Sequence, residues 1–271
     1  MKTRVQYPNR LIRNMQRYRR LVATFANWPA YLAFKWGWTG RRDLVLRTRN
    51  GFVIAVPWHV RHAFKDIFLY GTYAHPDLTA RLPDRPVVID IGGNVGGFSL
   101  YALYLRPHAH CLTFEPVTGN FRQLQHNHAL NPHANWQVFH AAVAGTAGTI
   151  QMCSPTGSPL ATDAFIQRLH PGAPAGAGAC ETVPARTLAE IFETEKIAHC
   201  DWLKVDCEGA EYEILYQTPP ALFKKVSAIT LETHAVAGPR NNAESLTDYL
   251  ETLGFQISLA DDDVVYALKH G

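Results

Sequence analysis

A carboxylate followed by a glycine-rich turn is the first feature of this sequence that could do chemistry. The apolar run VVI ends in Asp90. The turn after it has the order D-x-G-x-N-x-G and contains Gly92, Gly93, Asn94 and Gly96. Glycine has no Cβ to keep a ligand away from the backbone, and a helix that starts near the last glycine points free N–H groups at the same place. The pattern predicts a nucleotide pocket.

The charge in this turn indicates which nucleotide is bound. A dinucleotide-binding fold would have G-x-G-x-x-G, with a diphosphate on the helix N-terminus. Here Asp90 precedes the first glycine, and its carboxylate would repel a diphosphate but attract a cation or an amino group. Glu115, 25 residues later at the end of the next apolar segment, could accept both hydroxyls of a ribose. S-adenosylmethionine fits this description, and an NAD-dependent dehydrogenase is the less favoured alternative.

Two further segment ends carry polar side chains that could act on such a ligand. One contains Lys204, Asp206, Glu208 and Glu211, and the other contains Glu232 and His234. Methyl transfer from a sulfonium needs alignment of the acceptor and removal of its proton. Asp206 is expected closest to the methyl group, and Lys204 is expected to pair with an acid. His234 is predicted as the general base because an unperturbed pKa near 6.5 suits neutral pH. Glu232 or Asp206 would orient its imidazole.

A sheet must position these residues, because ligands of open α/β sheets lie beyond the carboxyl ends of the strands. We predict a mostly parallel seven-stranded sheet with one antiparallel edge strand. Six strands follow the opening apolar run: Ala109–Phe114, Trp136–His140, Trp202–Val205, Ala228–Glu232, Phe255–Leu259 and Val264–Leu268. The predicted helices between them are Gly96–Tyr104, Thr118–Leu130, Glu211–Tyr216 and Ala243–Leu253.

The first 80 residues are predicted to form an extension of the domain in residues 81–271. Residues 1–42 hold ten of the 26 Lys and Arg residues and none of the 23 Asp and Glu residues. Two stripes at helical spacing predict a helix with an apolar face and an arginine face. They consist of Leu11, Met15, Tyr18, Val22 and Phe25, and of Arg10, Arg13, Arg17 and Arg20. The favoured interpretation is that the apolar face packs on the domain and the arginines are solvated. Contact of the arm with an anionic membrane surface is the second alternative, and nucleic-acid binding is the third.

Other parts of the chain give broader expectations. A β-hairpin around Asn50-Gly51 and a helix over His59–Tyr70 follow the arm. The insert of residues 149–185, rich in Gly, Ala and Pro, is predicted as a lid or an extra hairpin over the acceptor site, made mobile by its glycines. These glycines are Gly157, Gly172, Gly176 and Gly178. The five cysteines, none in a CxxC pair, are predicted to be reduced. We expect a cytoplasmic protein, with association to the inner membrane face as the alternative, and no nucleic-acid partner because the body is acidic.

Six segments resemble the FkbM family of S-adenosylmethionine-dependent methyltransferases, over roughly residues 81–234. They are VVIDIGGNVGGFSLY, FEPVTGNFRQLQHN, AAVAGTAGTI, VPARTL, LKVDCEGAEYEIL and ITLETH. The resemblance implies a class I methyltransferase Rossmann-like α/β fold and O-methylation of a sugar, glycan or macrolide-like natural product. It also implies that the turn from Asp90 to Gly96 lines the methionine side of the cofactor. Glu115 would bind the ribose, and Ala142 and Val143 would contact the adenine.

Two alternatives about the reaction stay open. The side chains of Asp206, Glu208, Glu232 and His234 would also suit Mg²⁺ or Mn²⁺. Metal-dependent catechol-type methyltransferases have a further Asp-Asn pair that the segment ETHAVAG lacks, so a metal site is not predicted. The second alternative is a catalytically silent binding module that keeps the fold, against which the full set of polar residues argues.

Overall fold

The chain folds around one large sheet with helices on both sides. The computed structural model describes residues 2–4, 10–38, 43–154, 160, 164–169, 179–260 and 263–269. The strands are β1 (Thr3–Arg4), β2 (Asp43–Arg47), β3 (Val53–Pro57), β4 (Val87–Ile91), β5 (His110–Phe114), β6 (Trp136–Phe139), β7 (Ala142–Val143), β8 (Gly148–Ser154), β9 (Phe165–Ile166), β10 (Ala179–Arg186), β11 (Trp202–Val205), β12 (Ala228–Glu232), β13 (Phe255–Ala260) and β14 (Val264–Lys269). The α-helices are α1 (Arg10–Thr24), α2 (Pro29–Lys35), α3 (Arg61–Phe64), α4 (Pro76–Arg81), α5 (Gly97–Leu105), α6 (Thr118–Ala129), α7 (Leu188–Thr194), α8 (Glu211–Gln217) and α9 (Ala243–Thr252).

The large sheet has the strand order β1-β13-β14-β12-β11-β4-β5-β6. Neighbouring strands from β12 to β6 are parallel, and all seven predicted strands are present. The reversed strand was expected at the edge, and this is wrong. Strand β14 lies inside the sheet, antiparallel to both β12 and β13. The hairpin folds β14 onto β12, and the outer side of β13 pairs with the short additional strand β1.

The two faces of the sheet belong to two hydrophobic clusters of buried residues. Val88 lies in one cluster and Ile89 in the other, because successive side chains of a strand point to opposite faces. Burial on both faces explains why these parallel strands are almost continuously apolar. The N-terminal segment covers one face, where Phe25 and Phe68 share a cluster with Trp202. The predicted division at residue 80 stays a prediction, but the two parts share this core.

Helix α1 forms as predicted, but its orientation is not the expected one. Phe25 is fully buried, whereas Met15 is 62% exposed and Val22 is 40% exposed. Arg17 donates to the hydroxyl of Tyr70 at 3.0 Å, and the Arg20 guanidinium donates to the Tyr70 carbonyl. Part of the predicted solvated arginine stripe therefore faces the protein. None of the helices within the described ranges is long and apolar enough to cross a membrane.

The segment predicted as one helix, His59–Tyr70, consists of three short helices of different kinds. A 3₁₀ turn over Trp58–Val60 leads into α3, and a π-helix over Lys65–Tyr70 follows. The π-helix ends at Gly71, whose φ of +72° is the left-handed conformation that glycine adopts without strain. This change of direction brings the next residues toward the carboxyl ends of the strands.

The insert is an extra hairpin, one of the two predicted forms. Strands β8 and β10 pair antiparallel, and β9 adds to β8. Cys153 and Cys180, which face each other in this ladder, form a disulfide. The expectation that every cysteine is reduced is therefore wrong for this pair, because the hairpin register brings the two thiols together. The four glycines predicted to make the insert mobile lie outside the described residues.

Candidate functional site

A cavity of about 490 Å³ lies at the carboxyl ends of β4, β5, β11 and β12. Ten of the thirteen predicted site residues line it: Gly92, Gly93, Asn94, Glu115, Ala142, Val143, Lys204, Asp206, Glu208 and Glu232. Asp90, Gly96 and His234 are not among the lining residues. The volume is typical of a small-molecule site. The structure therefore brings ten of these residues together around one cavity and leaves three outside its lining, and their roles stay predictions.

The glycine turn packs tightly against the protein as well as against the cavity. Gly92 has a φ of +76°, and a Cβ there would lie 1.7 Å from the backbone oxygen of Asp206. Gly96 has a φ of +85°, and its Cβ would lie 2.7 Å from atoms of Leu124 and Trp136. Gly96 was expected to give a ligand close access to the backbone. Instead, glycine is needed there because neighbouring side chains of the protein fill the space.

Asp90 lies behind the cavity wall and supports it. Its carboxylate accepts a hydrogen bond from Ser99 Oγ at 2.8 Å and lies 3.4 Å from Lys204 Nζ. Asp90 is fully buried among protein groups and does not line the cavity, so its contact with a cofactor stays a prediction. Lys204 also donates to the Gly92 carbonyl at 2.7 Å. Burial alone would lower the pKa of Lys204, but Asp206 and Asp90 outweigh burial and raise it, so it stays cationic.

Glu115 and Asn94 form a polar corner of the cavity. Glu115 accepts the backbone N–H of Asn94 at 2.8 Å and that of Val117 at 2.9 Å. Burial raises the pKa of Glu115 to about 7 despite these hydrogen bonds. Asn94 has a φ of +50°, and its buried Oδ1 has no hydrogen-bond partner among the described residues. An unsatisfied buried acceptor beside a carboxylate fits a ligand with several donors, such as ribose hydroxyls and an ammonium group.

The neighbouring wall is apolar and comes partly from the insert. Ala142 and Val143 are buried on β7, which pairs with the end of β10. Met152 on β8 and Ile166 on β9 line the same cavity. The insert therefore borders the cavity beside Ala142 and Val143, and its predicted position over the acceptor stays a prediction. Buried apolar side chains of this kind suit the faces of a planar base.

The opposite part of the cavity holds three carboxyls, Asp206, Glu208 and Glu232, which we call the acidic cluster. Tyr73 lies between two of them, with its Oη 2.9 Å from Asp206 Oδ2 and 2.8 Å from Glu232 Oε2. Lys204 Nζ approaches the same Asp206 oxygen at 3.3 Å. No spacing in the sequence singled out Tyr73, because it reaches the cluster from a turn far away in the chain.

His234 lies behind the acidic cluster and is surrounded by acids. Its Nδ1 lies 3.2 Å from the buried Glu211, and its Nε2 lies 3.6 Å from Glu208 and 3.9 Å from Asp206. Burial lowers the pKa of His234, but Glu211, Glu208 and Asp206 together raise it to about 9. This raised pKa disfavours the predicted neutral imidazole base, because acids on three sides stabilise the imidazolium at neutral pH.

Glu208 has the features expected of a proton acceptor in this cluster. Its φ is +52°, a conformation that non-glycine residues adopt rarely and that is enriched at active sites. Burial raises its pKa to about 7, while the His234 imidazolium opposes the shift. Among the described residues, no group of three or more His, Cys, Asp or Glu side chains is arranged to hold a metal ion.

Comparison with known proteins shows which family this chain is similar to. The family model of the methyltransferase FkbM domain matches residues 90–257. Methyltransferase sdnD of Sordaria araneosa is 28% identical over 243 residues, which cover 81% of this chain and 91% of that protein. The 31-O-demethyl-FK506 methyltransferase FkbM of Streptomyces tacrolimicus is 26% identical over 254 residues, 82% of this chain and 92% of that protein.

Solved structures resemble the chain at lower identity. The crystal structure of methyltransferase FkbM from Methylobacillus flagellatus KT aligns with a TM-score of 0.49 and 15% identity. The alignment covers 78% of this chain and 54% of that one.

Proposed function

Because the chain belongs to the methyltransferase FkbM domain family, we propose that it methylates a hydroxyl of a sugar, glycan or macrolide-like natural product. Family membership makes it an S-adenosylmethionine-dependent methyltransferase with the class I Rossmann-like fold. The oxygen acceptor is the proposed part, supported by the name of the 31-O-demethyl-FK506 relative. One observation carries the proposal: a single cavity joins the polar corner at Glu115 to the acidic cluster.

The residues of the first half of the cavity fit the cofactor. Glu115 would accept the ribose hydroxyls, and the unsatisfied Oδ1 of Asn94 would accept from a further donor of the ligand. Ala142 and Val143 would contact the adenine. When bound, S-adenosylmethionine supplies an electrophilic methyl group. The chain's own contribution is to hold the donor and the acceptor in line and to receive a proton.

We propose Glu208 as the general base in place of His234. It lines the cavity, and a pKa of about 7 is close to the pH at which a base is most effective. His234, 3.6 Å away, would orient it as an imidazolium. The acceptor hydroxyl would donate its proton to the Glu208 carboxylate. Asp206 and Glu232 would border the acceptor without taking that proton.

The proposal is tested by a labelled-methyl screen over glycans, glycosides and macrolides, followed by Glu208→Gln with the substrate found. The variant should lower kcat about 10²–10⁴-fold, the usual contribution of a positioned base, and leave S-adenosylhomocysteine affinity unchanged. Glu244→Gln, an exposed acid on α9, is the matched control. With saturating cofactor, acceptor kcat/KM should rise with pH through about 7, where Glu208 ionises, and fall above about 9, where His234 loses its proton.

Full activity of Glu208→Gln would show that Glu208 is not the general base. Loss of methylation in EDTA would favour the divalent-metal alternative, which we do not expect because Tyr73 Oη already bridges Asp206 and Glu232. Binding of S-adenosylhomocysteine with no turnover on any acceptor would favour the silent binding module.

A further inference from the structure

Tyr73 brings two carboxyls of the acidic cluster together through one hydroxyl group. The side chain is 7% exposed, and its ring meets Phe98 edge-on with centroids 5.8 Å apart. The π-helix and Gly71 place it at the strand ends. Its Oη is at hydrogen-bond distance from both Asp206 and Glu232. The position of this hydroxyl is therefore set by packing as well as by the two acids.

The geometry of this bridge limits how its hydrogens can be arranged. A phenol has one hydrogen to donate, and an ionised carboxylate only accepts. If both carboxyls were ionised, one of the two short O···O contacts would set two lone pairs against each other. A second hydrogen on one carboxyl removes this repulsion, because that carboxyl then donates to the phenol oxygen while the phenol donates to the other carboxyl.

The surrounding charges decide which carboxyl holds this hydrogen. Asp206 has Lys204 Nζ at 3.3 Å and His234 Nε2 at 3.9 Å, and both cations favour its ionised form. Among the described residues, Glu232 forms no ion pair, and burial and Asp206 raise its pKa although His234 and Lys204 oppose the shift. The remaining acids that face the pair, Glu208 and the more distant Asp90, add negative charge and disfavour a second carboxylate.

We propose that Tyr73 is a positioning residue that holds Asp206 and Glu232 as one acid pair with a single negative charge. Glu232, as a neutral carboxylic acid, donates to Tyr73, and Tyr73 donates to ionised Asp206. Because Glu232 already holds its proton, it does not compete with Glu208 for the proton of the acceptor hydroxyl. This consequence for turnover rests on the proposed function, but the protonation state of the pair rests on the contacts of Tyr73 and on the charges around the two carboxyls.

The pair is tested by infrared spectroscopy of the cofactor-free protein at pH 7. A neutral carboxylic acid gives a carbonyl band that a carboxylate lacks, and an ordinary Glu is ionised at this pH because its pKa is about 4.3. We expect Glu232→Gln to remove one such band and Tyr73→Phe to shift it. Glu244→Gln, the exposed control, should change nothing. A spectrum unchanged by Glu232→Gln would show that Glu232 is ionised, and a band unmoved by Tyr73→Phe would exclude the bridge.

Turnover of an identified acceptor supplies the second readout. Tyr73→Phe should lower kcat about tenfold, the value of one lost hydrogen bond, while S-adenosylhomocysteine affinity shows that the variant is folded. Glu232→Gln should retain several-fold more activity than Glu232→Ala, because its amide N–H can still donate to Tyr73. Equal losses in these two variants would contradict the assignment. The infrared result stands even if no hydroxyl acceptor is found, so failure of the proposed function and failure of the pair are distinguishable.

Discussion

Glu115 titrates in the pH range in which cofactor binding is measured. Burial raises its pKa from 4.5 to about 7, so the free protein holds it partly protonated at neutral pH. A carboxylate that accepts from ribose hydroxyls must be ionised. We therefore expect S-adenosylhomocysteine affinity, measured by calorimetry, to rise from pH 6 to pH 8. Below pH 7 the rise should approach tenfold per pH unit, the limit for one required ionisation.

The variant Glu115→Gln separates this effect from the titration of Glu208. Its affinity should be weak and nearly independent of pH, whereas Glu208→Gln should keep the pH dependence. The raised pKa of Glu115 also makes the free energy of unfolding depend on pH. A raised pKa stabilises the cofactor-free fold below pH 4.5, and this contribution is lost as pH rises through about 7. Equal affinity of the wild-type protein for S-adenosylhomocysteine at pH 6 and pH 8 would show that ionised Glu115 does not bind the ribose.

At the scale of single residues, sequence reasoning found side chains by their position after apolar strands. This works for Glu115 and Asp206, because the carboxyl ends of parallel strands meet at one edge. It fails for the protonation of His234, which depends on three acids meeting in space. It fails also for Tyr73, whose two partners lie on other strands. Charge state and bridging contacts depend on tertiary distances that spacing does not encode.

At the scale of elements, strands with continuous apolar runs were predictable, but their placement was not. Strand β14 lies inside the sheet because it pairs with β12. The apolar pattern of a strand does not determine which neighbouring strand it pairs with. The rotation of α1 depends on the Tyr70 contacts of Arg17 and Arg20, which outweigh the exposure of Met15. Helix α7 was missed although Thr187 and Glu190 form a capping box, a signal present in the sequence.

The disulfide of the insert hairpin has a measurable effect on stability. Cys153 and Cys180 are separated by 27 residues, and closing a loop of this length stabilises a fold by about 2–4 kcal/mol. The double variant Cys153→Ser/Cys180→Ser should lose about this free energy of unfolding in denaturant titrations. Its cofactor affinity should also fall, because Met152 and Ile166 of the hairpin line the cavity.

Reduced wild-type protein is the control, because it should unfold like the double variant. Thiol labelling of the oxidised, unfolded chain should find three free cysteines: Cys111, Cys200 and Cys207. Five reactive thiols, or identical unfolding of the oxidised and reduced chains, would contradict the bridge.

At the scale of the whole molecule, exposed apolar groups and basic charge lie in the same part of the chain. The large hydrophobic side chains that are exposed among the described residues all fall between residues 12 and 58. They are Ile12, Met15, Val22, Trp36, Trp38, Val45 and Trp58. Trp36 and Trp38 are 52% and 73% exposed and contact each other at 4.8 Å between ring centroids. Indole rings beside basic residues are typical of contact with the headgroup region of a bilayer.

We therefore expect the chain to sediment with vesicles that contain anionic lipid, at low salt, and much less with neutral vesicles. Each Lys or Arg near such a surface contributes about 1 kcal/mol, and salt should weaken the binding. The variant Trp36→Ala/Trp38→Ala should bind less, with unchanged S-adenosylhomocysteine affinity. Point variants are preferable to deleting residues 1–20, because Arg17 and Arg20 hold the π-helix that leads to Tyr73. Equal sedimentation with neutral and anionic vesicles, or none with either, would reject a membrane role for the arm.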